Sequence, residues 1–144
     1  MTQIRILLVG VTLALFALPL PAELVFNTGA AWKLFKGRAE ASTPDTNAWR
    51  GITFNDSAFA TAPAPFWYGD VQSGGTQLTD MQNQYTCIFL RRTFVLTNIT
   101  EFSALRLSAL VDDGFVAWIN GTEVQRVNVG TPGSAVSVST SADL

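Results

Sequence analysis

The stretch Val111–Asn128 reads VDDGFVAWINGTEVQRVN, and its pattern decides the fold class. Asp112-Asp113-Gly114 has the chemistry of a tight turn, because aspartates accept local backbone hydrogen bonds and glycine tolerates positive φ. Phe115, Ala117 and Ile119 then alternate with Val116 and Trp118, which is the two-residue period of a strand. Asn120-Gly121 fits a type I′ turn, whose central residues both need positive φ and whose twist suits paired strands. Thr122 to Val129 returns, with Val124 on one face and Glu123, Gln125 and Val127 on the other. The stretch predicts an antiparallel hairpin.

The same period extends outward. Leu105, Leu107, Ala109 and Val111 alternate with Arg106, Ser108 and Leu110, which predicts a half-buried strand leading into the hairpin. In Thr86–Leu96 (TCIFLRRTFVL), Ile88, Leu90, Phe94 and Leu96 share one face with Arg92 between them, while Phe89 and Val95 lie on the other. Apolar residues on both faces predict a central strand. Trp32–Lys36 and Trp49–Phe54 are shorter strands by the same reading, and Ala135–Thr140 (AVSVST) is a last one. Asn55-Asp56-Ser57 reads as the cap of a single helical turn ending near Phe59. No amphipathic helix pattern is present. Short strands separated by Gly/Pro/Asp/Ser loops point to an all-β sandwich or barrel.

The 144 residues suit one domain behind a removable leader. Met1–Arg5 carries one positive charge, Ile6–Leu20 is an uncharged apolar run, and Leu20-Pro21-Ala22 supplies a small residue for cleavage. That is the layout of a secretory signal peptide over residues 1–22, leaving 23–144 as the β domain. The apolar run is shorter than a bilayer span, so no membrane insertion is expected after cleavage. The expected location is secreted or at the cell envelope. Nine Lys/Arg less Arg5 leaves eight, against eleven Asp/Glu. With no basic run, nucleic acid and anionic lipid are not expected as partners. Arg91-Arg92 is the only adjacent basic pair, and on a strand such a pair points to opposite faces.

The residue inventory also bounds the chemistry. The single cysteine, Cys87, cannot form a disulfide within the chain, and its neighbours Ile88-Phe89-Leu90 predict a small core residue. There is no histidine, which excludes Ser-His-Asp and Cys-His catalysis and histidine-based zinc sites. No enzyme is expected in these residues.

At the hairpin the chain resembles the galactose-binding-domain-like jelly rolls of large secreted bacterial proteins. Asp112-Asp113-Gly114, Trp118-Ile119-Asn120-Gly121, Glu123-Val124, Arg126 and Asn128 are similar to that family's hairpin. Upstream, Trp32–Gly37 (WKLFKG), Trp49 and Phe54–Phe59 (FNDSAF) resemble its opening strand and first turn. Ala64–Asp70 (APFWYGD) and Tyr85–Phe94 (YTCIFLRRTF) resemble the loop and long strand that follow. The resemblance implies an antiparallel jelly-roll-like β-sandwich. It also implies closing strands beyond the equivalent of Leu144, so the domain is expected to be incomplete at its C-terminus and part of a longer secreted chain.

Candidate binding residues follow from both readings. Asp112 and Asp113 are the only adjacent carboxylates, but neighbours in a turn do not flank a glycosidic bond as a catalytic pair must. Loop carboxylates suit calcium better, and some members of the resembled family hold structural calcium; two aspartates alone fall short of a full ligand set. Trp67, Tyr68 and Trp118 are the aromatics for stacking on a sugar face, and Asn120 and Arg126 are the polar residues of the hairpin that complete the set. The expected function is a non-catalytic module with a carbohydrate-binding or adhesive role in a larger extracellular protein. The rival expectation is a structural accessory domain of a secreted hydrolase or phosphoesterase whose catalytic region lies downstream.

Overall fold

Short strands carry the fold. The computed structural model describes residues 23–69 and 72–143, so the proposed signal peptide lies outside the described residues. The strands are β1 (Ala31–Lys36), β2 (Ala60–Pro63), β3 (Phe66–Trp67), β4 (Thr76–Gln77), β5 (Ile88–Arg91), β6 (Phe115–Ile119) and β7 (Thr122–Val127). The described helical structure is two three-residue 3-10 turns, Ala48–Arg50 and Ile99–Glu101. The described chain is all-β in character, as expected.

β1 is the middle strand of an antiparallel sheet ordered β2-β1-β5. Its register sets Phe35 opposite Phe89 and Leu34 opposite Leu90. Alternation therefore sends Phe35 and Phe89 to one face and Leu34 to the other. On the phenylalanine face, Trp49 and Phe59 are 7% and 5% exposed, and Phe35, Phe54, Phe89 and Trp118 pack around them. Ring centroids lie 5.0 Å apart for Phe35–Phe59, 5.1 Å for Trp49–Phe89 and 5.5 Å for Trp49–Trp118, the last two edge-on. These are the offset and edge-to-face contacts that aromatic quadrupoles favour. β6 and β7 form the predicted antiparallel hairpin, and Trp118 ties it to this core. The exception to antiparallel pairing is β3 with β4, a two-residue parallel pair.

Four predicted strands are corrected. Trp49–Phe54 begins as the 3-10 turn at Ala48–Arg50. Ser42 Oγ accepts the Trp49 N–H at 3.1 Å, and Asp45 Oδ1 accepts the Asn47 N–H at 2.9 Å. Such side-chain acceptors offer the backbone an alternative to a ladder. Thr86–Leu96 shortens to β5. Past Arg91 the ladder would need the Ala31 carbonyl, which instead accepts the Arg92 guanidinium. Ala135–Thr140 turns at Ser137, where Thr140 Oγ1 accepts the Ser137 N–H at 2.9 Å and Glu40 takes the Val138 N–H. Leu105–Val111 joins no sheet, and its leucines stay exposed. The helical turn expected after Asn55 is instead a hydrogen-bonded turn: Asn55 Oδ1 accepts the Ser57 N–H at 3.1 Å, and the Phe59 N–H donates to Asp56 O.

Cys87 is half-buried rather than fully enclosed, with its thiol directed at the Val138 carbonyl. Desolvation, and then the Glu40 charge, push its pKa up, so it is a neutral packing group at neutral pH. Gly37 makes room for it, since a Cβ there would stand 2.6 Å from the Cys87 carbonyl oxygen and closer still to the sulfur.

The Leu34 face of the sheet is fastened by charge. Lys36 Nζ meets Asp80 at 2.8 Å, Arg38 meets it at 2.9 Å, and the buried Tyr85 hydroxyl donates to it at 2.8 Å. These partners, Lys36 foremost and then Tyr85, hold the Asp80 carboxyl well below the usual carboxylate range. Burial first, and then Asp80, raise Tyr85 to about 12. A depressed acid stabilises the fold above its unfolded value, about 3.9, and that contribution is lost as pH falls below it. A raised phenol stabilises below its unfolded value, about 10, and loses that contribution as pH climbs through about 12. Thermal melts of Asp80→Asn should lose less stability than the wild type on acidification below about pH 4, and those of Tyr85→Phe less between about pH 10 and 12. Superimposable pH profiles for variants and wild type would contradict the assignment.

Candidate functional site

The hairpin holds most of the sequence-nominated residues. Asn120 and Gly121 both adopt positive φ, 50° and 83°, as a type I′ turn requires. The register advances by one between Ala117–Gln125 and Trp118–Glu123, leaving Val124 as the extra residue of a bulge. At the opposite end Asp113, not Gly114, takes the left-handed conformation, with φ 68°. The glycine is needed for space instead: a Cβ at Gly114 would meet Val127 O at 2.7 Å and Asn128 O at 2.8 Å.

The bulge brings Glu123 and Arg126 together. Arg126 Nε and Nη2 donate to the two Glu123 carboxylate oxygens at 2.9 and 2.8 Å. Nη1 donates to Val129 O and Ser134 Oγ, and Nη2 also donates to Ser134 O. All five guanidinium N–H directions are thus used within the chain. Only 2% of the side chain is exposed. The pairing depresses the Glu123 pKa and raises that of Arg126. Arg126 acts as a clasp between the hairpin and the loop after it.

Trp118 also points inward. Arg50 lies 4.2 Å above its ring and 5.6 Å from the Trp49 ring, while desolvation lowers the arginine's pKa against the pull of Glu123. Asp112 is exposed and its Oδ1 accepts the Asp113 N–H. Asn120 is exposed at the other end of β6, whose five extended residues span roughly 17 Å. Trp67 is fixed by its Nε1–H, which donates to Gly74 O at 3.1 Å, and by the pairing of β3 with β4. Tyr68, 44% exposed, is the most open of the nominated aromatics. The seven residues therefore do not converge. Among the described residues no three Asp, Glu, Cys or His side chains group as metal ligands.

What does converge lies at the end of the three-stranded sheet. An open cleft of about 280 Å³ is lined by Ala31, Trp32 and Lys33 of β1, Thr61 of β2, Asp56, and Arg91, Arg92 and Thr93 at the end of β5. Arg91 Nε meets Asp56 at 3.0 Å, and its Nη1 donates to the Gly51 and Trp49 carbonyls. Arg92 lies over the Phe26 ring, and its Nε is buried without a hydrogen-bond partner. Lys33 makes no ion pair or side-chain hydrogen bond among the described residues. Lys33 and Arg91 against the one carboxylate of Asp56 leave the cleft positive within a chain whose net charge is −2. Arg91 and Arg92 diverge as expected: Arg91 reaches Asp56 and lies over Phe54 on the phenylalanine face, whereas Arg92 lies over Phe26, which packs on Trp32 of the other face. Both residues line the cleft because it runs along the backbone at the end of β5. Sequence reading missed the cleft because it is assembled by register, which sets Thr61, Lys33 and Arg91 in one cross-strand row.

Among known proteins, no family model, curated sequence or solved structure matches the chain. No helix among the described residues is long and apolar enough to cross a membrane.

Proposed function

We propose that this protein is a secreted, non-catalytic carbohydrate-binding module of jelly-roll-like architecture. The observation that carries the reading is the cleft at the end of the β2-β1-β5 sheet. A sugar ring needs an aromatic wall for its C–H face and several hydrogen-bonding groups at its rim. The cleft meets the second need: Lys33, Thr61 and Thr93 supply donors and Asp56 an acceptor on one face of the sheet, while Trp32 and Arg92 flank it from the other face, where they pack with Phe26. The all-β chain with no histidine supports a binding role over catalysis. The cleft's positive balance favours sugars bearing a carboxylate or sulfate.

The test is a glycan array followed by calorimetry, in calcium and in chelator. Lys33→Ala and Thr93→Ala should each weaken binding about tenfold, the equivalent of about 1.4 kcal/mol. Trp67→Ala and Tyr68→Ala should leave it unchanged. Silence across neutral and acidic glycans would remove the carbohydrate reading. Binding that vanishes on chelation and survives Lys33→Ala would move the site to Asp112 and Asp113, and bring in the calcium that the family resemblance implies.

A further inference from the structure

Leu105–Val111 has the alternation of a strand and none of the pairing of one. The backbone of Ser103–Asp112 makes no hydrogen bond with any described residue, and its apolar side chains are open: Leu105 50%, Leu107 50%, Leu110 103% and Val111 41% exposed. An edge of that length with exposed leucines is a template for another strand. We propose that it pairs antiparallel with the same segment of a second copy of this chain, making a two-fold symmetric dimer.

The register follows from charge and pattern. Residues facing each other in an antiparallel pair lie on the same side of the sheet. Pairing Ala109 with its own symmetry mate sets Leu107 opposite Val111 on one side. On the other it sets Ser108 opposite Leu110 and Arg106 opposite Asp112. Both copies contribute, so two opposite-charge pairs close the ends of a seven-residue ladder. Sliding by two residues in one direction sets Arg106 opposite Leu110, and in the other opposite Gly114. Sliding by one sets the leucine side against the charged side. Arg106 and Asp112 are both exposed and have no ion-pair partner among the described residues, which leaves them available for this role.

Sedimentation equilibrium of the exported chain should show the average mass doubling with concentration. Arg106→Asp should return it to one chain, and the reciprocal swap R106D/D112R should restore the dimer. Ala109→Cys in oxidised glutathione should give a crosslinked pair, each disulfide forming as two thiols are oxidised and glutathione disulfide is reduced to two glutathiones. Leu107→Cys and the wild type, with only Cys87, should not. Circular dichroism identical to wild type would establish that each variant is folded. A single-chain mass at every concentration, a dimer that survives Arg106→Asp, or equal crosslinking at positions 107 and 109 would each overturn the proposal. The first of these would leave the edge to a different strand.

Discussion

Trp49→Ala should lower the free energy of unfolding by about 3–5 kcal/mol, measured by denaturant titration. That is a large share of the roughly 5–15 kcal/mol that holds a domain of this size. The indole is 7% exposed and touches three separate parts of the fold: Phe89 on β5, Trp118 on β6, and the Arg50 guanidinium beside it. Truncation leaves a void that no single element can close, because the rings around it are held by different strands. Trp49→Phe separates the ring from its polar atom. The buried Nε1–H of Trp49 has no hydrogen-bond partner, so losing it sacrifices no interaction. The phenylalanine variant should therefore cost well under half as much as the alanine variant. Equal losses would mean that the N–H, and not the aromatic surface, holds the site together.

Gly114→Ala should cost about 1–3 kcal/mol, the range of overpacking a tight site. The added Cβ would collide with two carbonyl oxygens, Val127 O and Asn128 O, and with the Val129 side chain. Backbone atoms at the hairpin's open end cannot move aside as a flexible side chain would. The Asn128 Nδ2–H bond to Asp113 O, 2.9 Å long, lies in the same corner and would be strained with it. Relief requires separating β6 from β7, so the loss should appear as faster amide exchange at Phe115 and Val127 before it appears elsewhere. At Gly121, by contrast, space is open and positive φ is the constraint. There Gly121→Asn should be tolerated far better than Gly114→Ala, because asparagine visits the left-handed region.

The hairpin was legible because every requirement is local: a period of two, an Asn-Gly corner, and acidic turn residues at its mouth. β1 was legible for the same reason. The bulge at Val124 was not, since nothing in TEVQRV distinguishes a regular strand from one with an added residue. Trp49–Phe54 looked like a strand by composition, and Ser42 and Asp45 overrode it through hydrogen bonds that no periodicity encodes. Leu105–Val111 is the sharpest case. Its pattern is that of a strand, but a strand exists only where something pairs with it, and no described residue does so.

The candidate site was less legible than the fold. Tryptophans were nominated by chemistry, yet Trp118 is drawn into the core by Trp49 and Arg50, and Arg126 is saturated by Glu123 and two carbonyls. The cleft depends on which residues of β1, β2 and β5 stand side by side. That is a property of register between segments as far apart as Lys33 and Arg91.

The hairpin is paired in its bulged register and docked on the core through Trp118. Nuclear Overhauser contacts in isotope-labelled protein test this most directly. Cross-strand contacts should connect Ala117 with Gln125 and Trp118 with Glu123, and the Trp118 indole should contact the Trp49 ring. Cross-strand contacts that set Trp118 opposite Val124, or a Trp118 ring without contacts to Trp49, would contradict it.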